Sequence, residues 1–173
     1  MRRDVDDWVQ ATLPRALAYA RSLLRDVGSA EDAVHDCYSR LLAKADVYDL
    51  PRDGLKILLR SITNACIDRQ SRQRMLMSLD AEGEPVADGI VDRRTADPSQ
   101  QAIARELAVQ IEEALGHLPT GQRAALHLSS IGYSLPEVAE MLGTTHANAR
   151  VLVHRARKML EQLLGPFLTG GTP

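Results

Sequence analysis

The apolar residues of this chain return every three or four positions almost from end to end, and nowhere in sustained strict alternation. That spacing is the period of a helix with one buried face, so it restricts the chain to packed helices. Leu13, Leu17, Ala20, Leu24 and Val27 form the first stripe. Gly28 reads as its stop, and Ser29, with Asp32 three residues on, reads as the cap of the next helix. Ala30, Val34, Cys37, Leu41 and Ala45 form the second stripe. Leu55, Leu58, Leu59, Ile62, Ala65 and Cys66 form the third, after a loop holding Asp49, Pro51, Asp53 and Gly54. Aromatic residues are only 3% of the 173, so the core must be built from aliphatic side chains, which disfavours a β-sandwich or barrel.

The pattern fails between Asp80 and Gln100. This stretch holds Pro, Gly and small residues, and its six acidic residues against Arg93 and Arg94 give it a local charge of -4. It reads as an exposed linker extended by self-repulsion. Periodicity resumes with Ile103, Leu107, Ile111, Leu115 and Leu118. Pro119 ends that helix, and Thr120 is placed to cap a helix burying Ala124, Leu128 and Ile131, with Gly132 as its stop. Ser134 and Glu137 then have capping-box spacing around Pro136. A short helix to Leu142 leads through Gly143, Thr144 and Thr145 into a long helix from about His146 to Leu164, beyond which the tail should fray. The expected fold is all-α. Two small helical domains, 8–76 and 102–167, are joined by a flexible acidic linker, 77–101, and the C-terminal domain is a helix-turn-helix.

Lys and Arg number 21 and Asp and Glu 23, a net charge of -2, so the total predicts no nucleic-acid partner and any such claim rests on distribution. From Thr145 to Leu160 the chain carries Arg150, Arg155, Arg157 and Lys158 and no acid. A cationic second helix behind an Ala139-x3-Gly143 turn, capped by Thr145, meets the requirement for laying a helix into a phosphate-lined groove. A second basic run, Arg69, Arg72 and Arg74, extends the third helix beyond Arg60 and Asn64. Enzyme chemistry finds no support. The chain has no phosphate loop, HExxH or nucleophile elbow, and its five histidines lack cysteine partners at ligand spacing. No catalytic residue, metal or cofactor is expected. Cys37 and Cys66 suit a reduced compartment, and MRRDVDDWVQ has no apolar signal stretch, so a cytoplasmic protein without membrane insertion is expected.

These residues resemble the bacterial extracytoplasmic-function sigma factors, the small class carrying only regions 2 and 4. The likeness covers about residues 10 to 165. LPTGQRAALHLSSIGYSLPEVAEMLG and VHRARKML resemble region 4, AEDAVHDCYSRLL the helix that docks on core polymerase, and LLRSITNACIDRQSRQR the helix that reads the −10 element. The resemblance implies a promoter-specifying subunit. Its partners would be the β′ coiled coil and β flap of core RNA polymerase, promoter DNA and an anti-sigma factor. It places Ala30, Glu31, Asp32, Val34, Asp36, Tyr38 and Arg40 at the polymerase contact. Arg60, Asn64, Asp68, Arg69, Arg72 and Arg74 would lie along the −10 element, with the Asp49–Gly54 loop near a flipped base. Thr145, His146, Asn148, Arg150, Arg155, Arg157 and Lys158 would lie at the −35 element. The acidic linker would run through the channel that RNA later occupies.

Two departures from the family pattern stand out. Ile57 and Leu59 occupy positions where aromatics are common, so promoter melting would rest on other groups. Arg150, Val151 and Leu152 replace a usual Lys-Ser-Arg, which removes a cation. A sigma-like decoy that titrates an anti-sigma factor, and a helix-turn-helix repressor, are the alternative expectations. The two domains are also expected to pack together in the free protein and hide their basic faces.

Overall fold

The computed structural model of the chain describes residues 2–77 and 98–168. Most of the stretch expected as linker, 78–97, and the final residues 169–173 lie outside the described residues. Among the described residues seven α-helices follow in order: α1 Arg2–Leu24, α2 Val27–Leu42, α3 Leu55–Met77, α4 Pro98–Gly116, α5 Thr120–Ser130, α6 Leu135–Met141 and α7 His146–Leu168. A π-helical turn, Leu50–Gly54, precedes α3. There is no strand among the described residues. The chain is all-α, and α4 already begins at Pro98, inside the expected linker.

Helices α1, α2 and α3 pack on one another, and α7 gathers α4, α5 and α6. The buried side of α1 is Thr12, Ala16, Tyr19, Ala20 and Leu23; of the expected stripe Ala20 is fully buried, Leu17 and Leu24 pack partly against the core, and Leu13 is 37% exposed. Two hydrogen bonds make this polar-tipped face suitable for a core. Tyr19 Oη lies 2.7 Å from Thr63 Oγ1, and Thr12 Oγ1 lies 2.8 Å from Tyr38 Oη. Thr63 and Thr12 each also donate to a backbone carbonyl one turn back in their own helices, at 2.7 Å in both cases. A buried hydroxyl satisfied in this way no longer carries the cost of leaving water.

Two caps differ from expectation. Helix α1 ends at Arg25, whose φ of 60° breaks the helix, and Asp26 caps α2 by accepting from the Ser29 N–H at 2.7 Å. Ser29 and Gly28 therefore lie inside the first turn of α2, because a carboxylate three residues upstream already serves its free N–H groups. Thr120 does not cap α5. Pro119 occupies that place and the Thr120 side chain is buried.

The helix-turn-helix forms as its spacing predicts. Glu137 Oε2 accepts from the Ser134 N–H at 2.9 Å and from its hydroxyl at 2.7 Å. Gly143, at φ 62°, ends α6 as the left-handed residue of a Schellman motif. Thr144 N–H donates to Ala139 O at 2.9 Å and Gly143 N–H to Glu140 O at 3.2 Å. Thr145 Oγ1 accepts from the Asn148 N–H at 3.2 Å, which caps α7. Val138, Met141, Ala149 and Ala156 are fully buried beneath the motif.

The two helix groups share one core. Arg123 of α5, only 3% exposed, spans the junction with both ends of its guanidinium. Nη1 donates to Ser22 O and Leu23 O at the end of α1, at 3.0 and 3.1 Å. Nη2 donates to Gly116 O and Leu118 O at the end of α4, at 3.2 and 2.9 Å. One cation thus serves the carbonyl-rich ends of two helices, where the dipoles favour positive charge. Beside it the His127 ring stands edge-on to Tyr19 at 4.9 Å, with Nδ1 3.4 Å from Ser22 Oγ.

Candidate nucleic-acid interface

Helix α7 turns Ala149, Val153 and Ala156 inward, and this alone orients its other side chains. His146, Asn148, Arg150, Arg155 and Lys158 are exposed, as is Thr145 at the cap. Arg157 is exposed but leans back, its Nη2 3.4 Å from Ser129 Oγ on α5. No acidic side chain interrupts this face before Glu161. Asn148 is held by a bond from Nδ2 to Thr144 Oγ1 at 2.8 Å, which fixes its side chain beside the cap.

Helix α3 exposes Arg60, Asn64, Asp68, Arg69 and Arg72 along one side, and Arg74 continues the same helix. Helix α2 exposes Glu31, Asp32, Asp36 and Arg40. The two sets are not separate. Asp36 and Arg40 of α2 face Asp68, Arg69 and Arg72 of α3 across a groove of about 540 Å³. Asp32 Oδ2 lies 3.3 Å from Arg69 Nη2 above it. The expected polymerase and −10 surfaces thus meet along one groove, which was invisible in the sequence because the residues lie on different helices.

Three expected contact residues, Ala30, Val34 and Tyr38, belong elsewhere. Val34 is 2% exposed and Tyr38 6%, both in the core of the first helix group. The Tyr38 ring stands 5.7 Å from Trp8, edge to face, and its hydroxyl is taken by Thr12. They hold α2 in place and cannot meet a partner without unpacking it. The i, i+4 spacing of Val34 and Tyr38 with Ala30, which is also buried, signals the inward side of α2.

Lys56 was missed by the sequence reading. Its Nζ lies 2.8 Å from Glu140 Oε2 and 3.8 Å from Glu137 Oε1, and Arg60 Nη1 lies 3.6 Å from Glu140 Oε1. The hydrogen bond to Glu140 raises the Lys56 ammonium above its ordinary range, and the bond from Lys56 lowers the Glu140 carboxyl. Its place one turn before Arg60 was the available signal. The expected masking in the closed protein is therefore partial. It engages the first turns of α3 with α6, while Arg150 and Arg155 of α7 remain open. Burial pushes the Cys66 thiol up to about 12 and raises Cys37, so neither free cysteine is a nucleophile near neutral pH. No helix among the described residues is long and apolar enough to cross a membrane.

A three-helix unit carrying a polar groove, joined to a helix-turn-helix with a cationic second helix, is the arrangement of sigma-type promoter-recognition proteins. Residues 8–75 match the family pattern described as Sigma-70 region 2, and residues 108–160 that described as Sigma-70, region 4. Over 153 residues the chain is 33% identical to the ECF RNA polymerase sigma factor SigM of Mycobacterium tuberculosis, covering 87% of this chain and 72% of that protein. It is 28% identical to SigW of Bacillus subtilis, covering 82% and 79%. The fold resembles the sigma factor RpoE in complex with the anti-sigma factor NepR from Bartonella quintana. The TM-score is 0.71 at 25% identity, covering 94% of this chain and 98% of that one. The chain belongs to the extracytoplasmic-function RNA polymerase sigma factors, which bind core RNA polymerase and recognise promoter DNA.

Proposed function

We propose a division of labour among three surfaces. The outer face of α2, with Glu31, Asp32, Asp36 and Arg40, docks on the β′ coiled coil of core polymerase. Helix α3 lays Arg60, Asn64, Asp68, Arg69, Arg72 and Arg74 along the −10 element. Helix α7 enters the major groove of the −35 element with His146, Asn148, Arg150 and Arg155, while Thr145 holds its start and Lys158 meets phosphate. The first domain then spans 8–76 and the second, seated on the β flap, 102–167, with 77–101 between them as the linker. The protein acts in the cytoplasm and supplies no catalytic step of its own. An anti-sigma factor is its regulatory partner, a reading supported by the complex in which the similar RpoE was solved.

The observation that carries this reading is the exposed face of α7, free of acid from His146 to Leu160 and set outward by the buried Ala149, Val153 and Ala156. A helix so charged binds DNA by releasing counterions, so its affinity falls with salt in proportion to the phosphates it meets. Multi-round transcription with bacterial core polymerase and a library of genomic fragments should yield discrete start sites sharing a bipartite motif. In the same holoenzyme Arg150→Ala should weaken promoter binding and lower the salt slope by about one, with polymerase association intact. Asp36→Ala and Arg40→Ala should reduce polymerase association instead. Asp32→Ala is less clean, because it also frees Arg69. Polymerase binding without transcripts would favour the decoy, and no polymerase binding would sink the reading.

A further inference from the structure

Valine 151 sits in the middle of the cationic face of α7 and is 40% exposed. A β-branched residue has low helix propensity, and Val151 is not part of the core that the next two residues, Leu152 and Val153, pack into. Helical geometry places it more exactly than exposure alone. At 100° per residue, Ala147, Val151 and His154 fall within an arc of about 60°, directly opposite the arc of buried Ala149, Val153 and Ala156. Arg150 flanks this crest on one side and Arg155 on the other. A helix lying in a major groove points its crest at the base edges and its flanks at the two phosphate walls. The crest of this helix begins with two apolar side chains one turn apart, Ala147 and Val151, in its first two turns. The N-terminal turns of a recognition helix are those that reach base edges.

In the major groove only one base-pair feature is apolar, the 5-methyl group of thymine. We infer that Val151, supported by Ala147, is a specificity-determining residue that selects thymine in the upstream promoter element by covering its methyl group. Arg150 and Arg155 then carry affinity and orientation, and the apolar pair carries part of the sequence choice. This inference rests on the reading that α7 occupies the −35 major groove.

The test uses the full chain in holoenzyme with core polymerase. A promoter library randomised in the upstream element first yields the preferred sequence. Each thymine in it is then replaced singly by deoxyuridine, which differs only by the missing methyl group. At one or two positions this should weaken binding about fourfold, the value of one buried methyl. Val151→Ser should bring the thymine-to-deoxyuridine ratio to one at those positions and leave the salt slope unchanged. Val151→Thr, which keeps a γ-methyl, should retain part of the ratio. Arg150→Ala serves as the control on the underlying reading. If it weakens promoter binding while no thymine shows a methyl effect, or Val151→Ser keeps the full ratio, the inference is overturned and the reading stands. If neither Arg150→Ala nor Val151→Ser alters promoter binding, the placement of α7 in the groove fails with it.

Discussion

A tyrosine on a helix with a charged outer face can be a contact for a partner or a piece of core, and the partner of its hydroxyl decides. For Tyr38 that partner is Thr12, 2.8 Å away and 26 residues earlier in the chain. Because Thr12 donates in turn to Trp8 O, Tyr38 supplies the proton to Thr12, and the pair is saturated without water. Tyr38→Phe should therefore lower unfolding free energy by about 1 kcal/mol in urea titration, with affinity for core polymerase unchanged. Loss of polymerase affinity at unchanged stability would return Tyr38 to the docking surface. Val34 is governed by the same geometry one turn earlier. The outward neighbours Asp32, Asp36 and Arg40 were readable from charge, whereas hydroxyl pairing across 26 residues was not.

At the scale of elements, the π-helical turn Leu50–Gly54 is closely fitted against α1. Asp49 Oδ1 accepts from the Arg52 N–H at 3.2 Å and starts the turn, and Gly54 ends it against the only tryptophan. A Cβ at Gly54 would come within 2.7 Å of the rigid ring of Trp8, which is half-buried against the core. Gly54→Ala should cost roughly 1–3 kcal/mol of stability through overpacking and alter Trp8 fluorescence in the folded protein. Unchanged emission and stability would show that the turn moves aside freely. The proline and acids of this loop marked a turn in the sequence. That its glycine is required by a ring on α1 follows only from packing.

At the scale of the whole molecule, the junction between the two helix groups combines a permanent cation with a titratable ring. Burial lowers the Arg123 guanidinium to about 10, which still leaves it charged at neutral pH and bonded to four carbonyls. Arg123→Met strands those carbonyls at the ends of α1 and α4. It should lower stability by roughly 3 kcal/mol or more and widen the distance between labels on α2 and α7. Burial also holds the His127 imidazole below its ordinary value of 6.5, facing Tyr19 and Ser22 of α1. The opened or unfolded chain therefore takes up the proton more readily than the closed one. The stability contributed by this ring is complete above about pH 6.5 and is lost as pH falls below it toward the lower folded value. Ser134 holds the Glu137 carboxyl below the usual range and Lys56 does so for Glu140, so both stay ionised through that window. The label separation should grow between about pH 7 and pH 5, and His127→Phe should flatten that response.

Much of what acts within about four residues is legible in the chain itself. The Ser134–Glu137 box, the Gly143 stop and the Thr145 cap depend only on neighbours in the chain, and each formed where its spacing required. The caps that failed were local competitions won by a neighbour, Asp26 over Ser29 and Pro119 over Thr120. What only the tertiary structure decided depends on partners far apart in sequence. The inward side of α1 follows from Tyr19 meeting Thr63, 44 residues away, and the closed junction from Arg123 meeting Ser22, 101 residues away. The groove that joins Asp36 and Arg40 to Asp68, Arg69 and Arg72 exists because α2 lies against α3. Local signals set which helices form, because capping and periodicity need no partner. Which faces they share depends on which distant polar groups can satisfy one another once water is excluded.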